Sequence, residues 1–239
     1  MKDFHTKVID ILNQIHQEEE SKIENICHWI VEKKKQGGTF YVIGTGHSHM
    51  VAEEFYARAG GLANIQMIAP LELTLSEHPK KSTYIERVAD YAGVITKIYD
   101  FTDKDIIMIC SNSGRNQMPI EFAIRCKAMG VTTIALTNFK HSSFVESRHA
   151  SGKRLFEVCD TYIDNHGEIG DAMMQIEGVK GLMGATSSIT GVYIAQIMNQ
   201  YIAEKMVAEE MEVPVFVSSN LNEGDKWNQK LMEKYYHVK

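Results

Sequence analysis

An α/β fold, a three-layer α/β/α sandwich on a five-stranded parallel sheet in the flavodoxin-like strand order, is what this sequence predicts, on three observations. Short apolar runs alternate with stretches of helical period. Strands that alternate with helices need crossover connections, which make neighbouring strands parallel and cover both faces of the sheet. Two of the runs also end in glycine- and hydroxyl-bearing turns that open a helix, as at the carboxyl edge of such a sheet.

The elements follow in order. Residues 3–36 read as a long helix: Phe4, Val8, Ile11 and Ile15 recur at helical spacing, Ile23, Ile26, Ile30 and Val31 resume the stripe, and Gly37-Gly38 stops it. The acidic run Glu18-Glu19-Glu20 is a place for a bend. Strands are predicted at Phe40–Ile43, Ile65–Ala69, Ile106–Cys110, Thr132–Leu136 and Thr161–Ile163, with helices near 48–62, 84–99, 118–129 and 186–209. The tail, 212–239, opens with Val213-Pro214-Val215-Phe216-Val217, apolar enough either to pack on the body or to serve a subunit contact. No Ser/Gly-rich linker and no repeat divides the chain, so one domain over 1–239 is expected, with its core at about 20–210.

Composition narrows the function classes. Of 239 residues, 44% are hydrophobic, enough for a real core, and the net charge of −6 comes with no long Lys/Arg run, which argues against nucleic acid or a membrane surface as the partner. Cys27, Cys110, Cys126 and Cys159 are scattered and form no CxxC pair, and neither an apolar leader nor a run of ~18 apolar residues occurs, so a reduced, cytoplasmic protein is expected.

Two loops carry the chemistry. The first strand runs into Gly44-Thr45-Gly46-His47-Ser48-His49, where backbone N–H groups and the positive end of a helix can meet an anion. It lacks the third glycine of a dinucleotide fingerprint, so a nucleotide cofactor is not expected. The third strand runs into Ser111-Asn112-Ser113-Gly114-Arg115-Asn116, with Pro119 in the first turn of the helix that follows. Its hydroxyls and amides can surround a phosphate, or act simply as caps and turn residues. In the flavodoxin-like order the switch point lies between the first and third strands, so the two loops share one crevice. A third hydroxyl cluster, Thr186-Ser187-Ser188, is either a helix cap or a further part of the site, and the basic loop 141–155 either is solvated or covers it. His47 and His49 form an HxH pair without a third ligand at metal spacing, so no metal is expected.

The GTGHS and SNSGRN loops together resemble the sugar isomerase (SIS) domain over roughly 20–210. The resemblance implies a five-stranded parallel sandwich that binds a phosphorylated sugar, usually as a homodimer or homotetramer, with Ser48, Ser111, Ser113 and Asn116 at the phosphate and Asn116 standing where the family usually has Thr. The run HSSFVESRHASGKRLFEVCD and the GDA at 170–172 are similar to a bacterial branch labelled phosphoheptose isomerase, and GATSSIT is similar to the start of the last helix in the N-acetylmuramic acid 6-phosphate etherases. Gly46, His47, Asn112, Ser187 and Ser188 complete the expected binding set.

Aldose–ketose isomerisation moves a proton between adjacent carbons through an enediol, and ether elimination also begins with proton removal beside a carbonyl; both want Glu or His. The segment after the second strand offers Glu72, Glu77 and His78, and the turn after the fifth offers His166 and Glu168. Glu72, next to the end of its strand, is the expected base. Glu53 and Glu54 are read as solvated acids of a helix face. An isomerase is therefore expected, with a lyase or etherase, and a binding module without catalysis, as the alternatives.

Overall fold

The structure, a computed structural model, describes residues 2–88, 90–221 and 224–237. Helix α1 (Lys2–Lys35) leads into a parallel sheet of β1 (Phe40–Gly44), β2 (Ile65–Ile68), β3 (Ile106–Cys110), β4 (Thr132–Thr137) and β5 (Thr161–Asp164), in the order β2-β1-β3-β4-β5. Period-two alternation sorts the side chains between two cores. Phe40 and Val42 of β1, Ile106 and Met108 of β3, and Ile134 and Leu136 of β4 point to the layer that holds α1, α2 (His49–Phe55) and α8 (Ser187–Ala208). Ile43, Ile107, Ile109 and Ala135 point the other way, to α4 (Tyr91–Ile98) and α5 (Gln117–Ala128). Both faces are covered, so the strands read as continuous apolar runs.

Three expectations change, and the tail takes the first of its two readings. The acidic run does not interrupt α1, which is one helix over Lys2–Lys35: Glu19 is only 5% exposed, Glu20 accepts the Tyr201 hydroxyl at 2.7 Å, and Glu18 accepts from Gln14 at 3.0 Å. The helix near 48–62 ends at Phe55, because 60–61 pair instead with the tail: the Gly60 N–H donates to the Phe216 carbonyl at 2.8 Å, and Phe216 donates back to Gly61 at 3.0 Å. The helix near 84–99 is two helices, α3 (Lys81–Ile85) and α4, parted where Asp90 takes a left-handed conformation with φ 66°. The tail folds onto its own chain through α9 (Gly224–Tyr236), where Phe216 and Leu231 bury against Ala63.

Three elements had no counterpart in the sequence reading. Short helices α6 (Phe139–Phe144) and α7 (Leu155–Val158) flank the basic loop, and an antiparallel hairpin, β6 (Ala172–Gln175) with β7 (Leu182–Ala185), precedes α8. All four cysteines are buried and free. No helix among the described residues is long and apolar enough to cross a membrane.

Candidate functional site

Because β1 and β3 are hydrogen-bonded neighbours at the switch point of the sheet, the loops after them lie side by side at its carboxyl edge. Between them is a narrow crevice. Its walls are His47 and Ser48 of the first loop, Asn112 of the second, Asn165 just beyond β5, and Ser187 and Ser188 at the start of α8; Val51, Cys110 and Leu136 form the apolar floor.

Backbone geometry accounts for the glycines at two positions. A Cβ on Gly44 would stand 2.1 Å from the Ser48 carbonyl oxygen, so only glycine lets the first loop fold back on its strand. Gly114 has φ +56°, and a Cβ there would meet Ser142 Oγ at 3.0 Å and Leu155 Cβ at 3.2 Å. The second loop is thus held down on α6 and α7. Within it the Ser111 hydroxyl oxygen accepts the Gly114 N–H at 3.3 Å, and Asn112 Oδ1 accepts from Asn165 Nδ2 at 2.9 Å. Ser113 differs: its hydroxyl has no partner among the described residues.

Two helix starts adjoin the loops, that of α8 in the crevice wall and that of α5 directly after the second loop, and they are electrostatically unlike. At α8 the Asp171 carboxylate accepts from the Ser187 N–H at 2.8 Å and the Ser187 hydroxyl at 2.8 Å, so the positive helix end already has its anion. At α5 the N-cap residue is Asn116 and no side chain caps the helix, but the Met118 N–H already donates to the Glu86 carbonyl at 3.0 Å and Pro119 has no N–H. A ligand anion therefore finds the Ser113 hydroxyl open at the second loop, whereas the start of α8 already has its anion.

Asn116 is instead the middle of a polar chain. Its Nδ2 donates to Glu86 Oε2 at 2.6 Å, and its Oδ1 accepts from Arg148 Nη1 at 2.8 Å. Glu86 also takes a hydrogen bond from the Thr45 side chain, which places one carboxylate between the two loops; burial raises its pKa above the ordinary carboxylate value, against those two hydrogen bonds. The basic loop closes the other side: Arg148 N–H donates to the Arg115 carbonyl at 2.8 Å and Leu155 N–H to the Gly114 carbonyl at 2.8 Å. Glu86 escaped the sequence reading because it lies in what looked like a plain amphipathic helix, whereas Arg115 and Arg148 lie in the second loop and in the basic loop that the sequence offered as a cover for the site.

The family model described as the SIS domain matches residues 3–138. The chain belongs to the SIS domain family. It is 44% identical over 225 residues to the UPF0309 protein of Halalkalibacterium halodurans, covering 94% of this chain and 93% of that one. Among solved structures, a phosphoheptose isomerase from Francisella tularensis superposes with a TM-score of 0.58 at 14% identity, covering 85% of this chain and 96% of the other. A protein of E. coli CFT073 solved with a bound sugar phosphate gives 0.53 at 14% identity, with coverage of 86% and 89%. At these identities the likeness is one of fold.

Against this SIS frame the acids expected from sequence scatter. Glu72 is exposed, and Tyr91 Oη donates to its Oε2 at 3.3 Å. Glu77 is exposed and paired with Lys81; exposed His78 accepts the Lys80 N–H on Nδ1 at 3.2 Å. None of the three lines the crevice. Glu54 is paired with Arg58, and Glu53 lies 3.5 Å from His49 Nε2. His166 directly follows the crevice residue Asn165 but turns into a separate cavity of about 400 Å³ with Lys7, Gln14 and Glu168. There its Nε2 is 3.6 Å from the buried Glu19. Burial opposes protonation of His166, yet Glu19 and then Asp164 carry its pKa above the ordinary value.

Proposed function

We propose that the protein binds a phosphorylated sugar in the crevice between the two loops and isomerises it by proton transfer through an enediol. The Ser113 hydroxyl, without a partner among the described residues and in the loop that opens α5 with no side-chain cap, is the observation that carries the phosphate assignment. Ser48 from the facing loop, with Gly46 and His47 beside it, and Asn112 complete the cradle. Such a site binds phosphate with oriented neutral donors and a helix end. The sugar phosphate bound to the E. coli protein supports the same ligand class.

Proton transfer needs a base whose pKa approaches neutrality. Glu86 is the group we assign, since burial raises its pKa and its carboxylate lies between the loops that hold the ligand. Glu72, Glu77 and His78, exposed and engaged elsewhere, are second to it. His166, behind the crevice, acts in this reading through Asn165 and the turn it anchors. A lyase or etherase uses the same first step and differs in the leaving group, while a binding module omits the step. Incubation with a panel of aldose and ketose phosphates, followed by NMR, tests the reading. Interconversion supports an isomerase, loss of a substituent supports the lyase, and tight binding without turnover supports the module.

A further inference from the structure

The chain has six arginines. Three are paired with carboxylates: Arg58 with Glu54, Arg125 with Asp90 and Glu121, and Arg154 with Glu157. Arg87, Arg115 and Arg148 pair with no carboxylate among the described residues, and these three gather at one place. Arg115 is inside the second loop, and its carbonyl receives the Arg148 N–H at 2.8 Å. Arg148 donates to Asn116 at 2.8 Å, and Arg87 follows Glu86, which Asn116 binds at 2.6 Å.

Two further facts show that the cluster is short of an anion. Arg115 Nε is buried without a hydrogen-bond partner. Arg148 is held below its usual pKa first by burial and next by the positive charges of Arg115 and Arg87, which outweigh the attraction of Glu86. Crowded guanidinium groups repel one another, and a buried N–H without an acceptor costs free energy; a bound anion relieves both. In a chain of net charge −6 such a concentration of unpaired positive charge is not a matter of composition. None of the three lines the crevice itself, so a phosphate seated there leaves them unsatisfied.

We propose that Arg87, Arg115 and Arg148 hold a second anionic group of the substrate, so that this site takes phosphosugars that also carry a carboxylate or a second phosphoryl group. The planar guanidinium fork suits either group. This rests on the sugar-phosphate reading above and narrows it. The test is calorimetric titration of the full chain with inorganic phosphate, sorbitol 6-phosphate, 6-phosphogluconate and fructose 1,6-bisphosphate. One or both of the doubly anionic ligands should bind about 10-fold or more tighter than sorbitol 6-phosphate, and which one does so tells carboxylate from phosphoryl. The Arg115→Gln/Arg148→Gln variant should erase that preference and keep wild-type affinity for inorganic phosphate. Arg87→Gln, at an exposed position outside both loops, should reduce it without touching the loop backbone. Equal affinity for singly and doubly anionic ligands in the wild type overturns the proposal while leaving the phosphate cradle intact. Parallel loss of inorganic phosphate in the variants also overturns it, by making the arginines part of the cradle. Failure of all four ligands to bind removes the sugar-phosphate reading and this one together.

Discussion

Ser111 and Ser113 sit two residues apart in one loop, yet their removal should have opposite consequences. The Ser111 hydroxyl is 6% exposed and accepts the Gly114 N–H at 3.3 Å, so Ser111→Ala leaves a buried donor without its acceptor. That costs about 1–3 kcal/mol of folding stability, read as a lower thermal midpoint. The Ser113 hydroxyl bonds to nothing in the described residues, so Ser113→Ala should unfold like the wild type. Its cost should fall on the ligand: a hydrogen bond to a charged oxygen is worth about 1.5–3 kcal/mol, roughly a 10- to 150-fold loss of affinity. The assay pairs thermal unfolding without ligand with calorimetric titration of inorganic phosphate. Wild-type phosphate affinity in Ser113→Ala would refute the cradle, and equal destabilisation of the two variants would refute the division of labour between the serines.

How much of this was legible in the sequence follows from which forces set each element. The strands and α1, α5 and α8 were readable because a two-sided core demands apolar residues at fixed periods, as Phe40/Val42 against Ile43 show. Both loops were readable because Gly44 answers to the chain folding back on Ser48 four residues on, and Gly114 to its own positive φ. Glu86 was not: it owes its place to Met118, whose N–H donates to the Glu86 carbonyl at 3.0 Å from far along the chain, and to the break at Asp90, neither of which leaves a periodic trace. The early stop of α2 likewise comes from pairing with Phe216, more distant still in sequence. Glu19 had stood only in an acidic run where the helix could bend, and its burial opposite His166 is set by the turn after β5.

Three further outcomes are expected. The pKa of His166 is raised above its ordinary 6.5, so its contribution to stability is full below that value and is lost as pH rises through the folded-state pKa; urea unfolding should show stability falling on the alkaline side of 6.5, and His166→Gln should flatten that slope. Gly114→Ala places a Cβ at φ +56° and 3.0 Å from Ser142 Oγ, and should cost about 1–3 kcal/mol together with most of the phosphate affinity, measured by the same two assays. The hairpin exposes Ile176, Leu182 and Met183 at 44%, 48% and 52%, and light scattering at micromolar concentration should give a dimer or larger, which Leu182→Glu/Met183→Glu should weaken.

Proton abstraction is the step on which the proposed chemistry stands, and solvent deuterium exchange into the sugar reports it whatever the final product. With the phosphosugar that binds best, the wild-type protein should incorporate deuterium at the carbon beside the carbonyl. Glu86→Gln retains an oxygen for the Asn116 and Thr45 hydrogen bonds but loses the basic site, so exchange should fall by about 100-fold or more at unchanged phosphate affinity. Exchange at the wild-type rate in Glu86→Gln would contradict the assignment of the base, and no exchange in the wild type with any bound phosphosugar would contradict the isomerase itself.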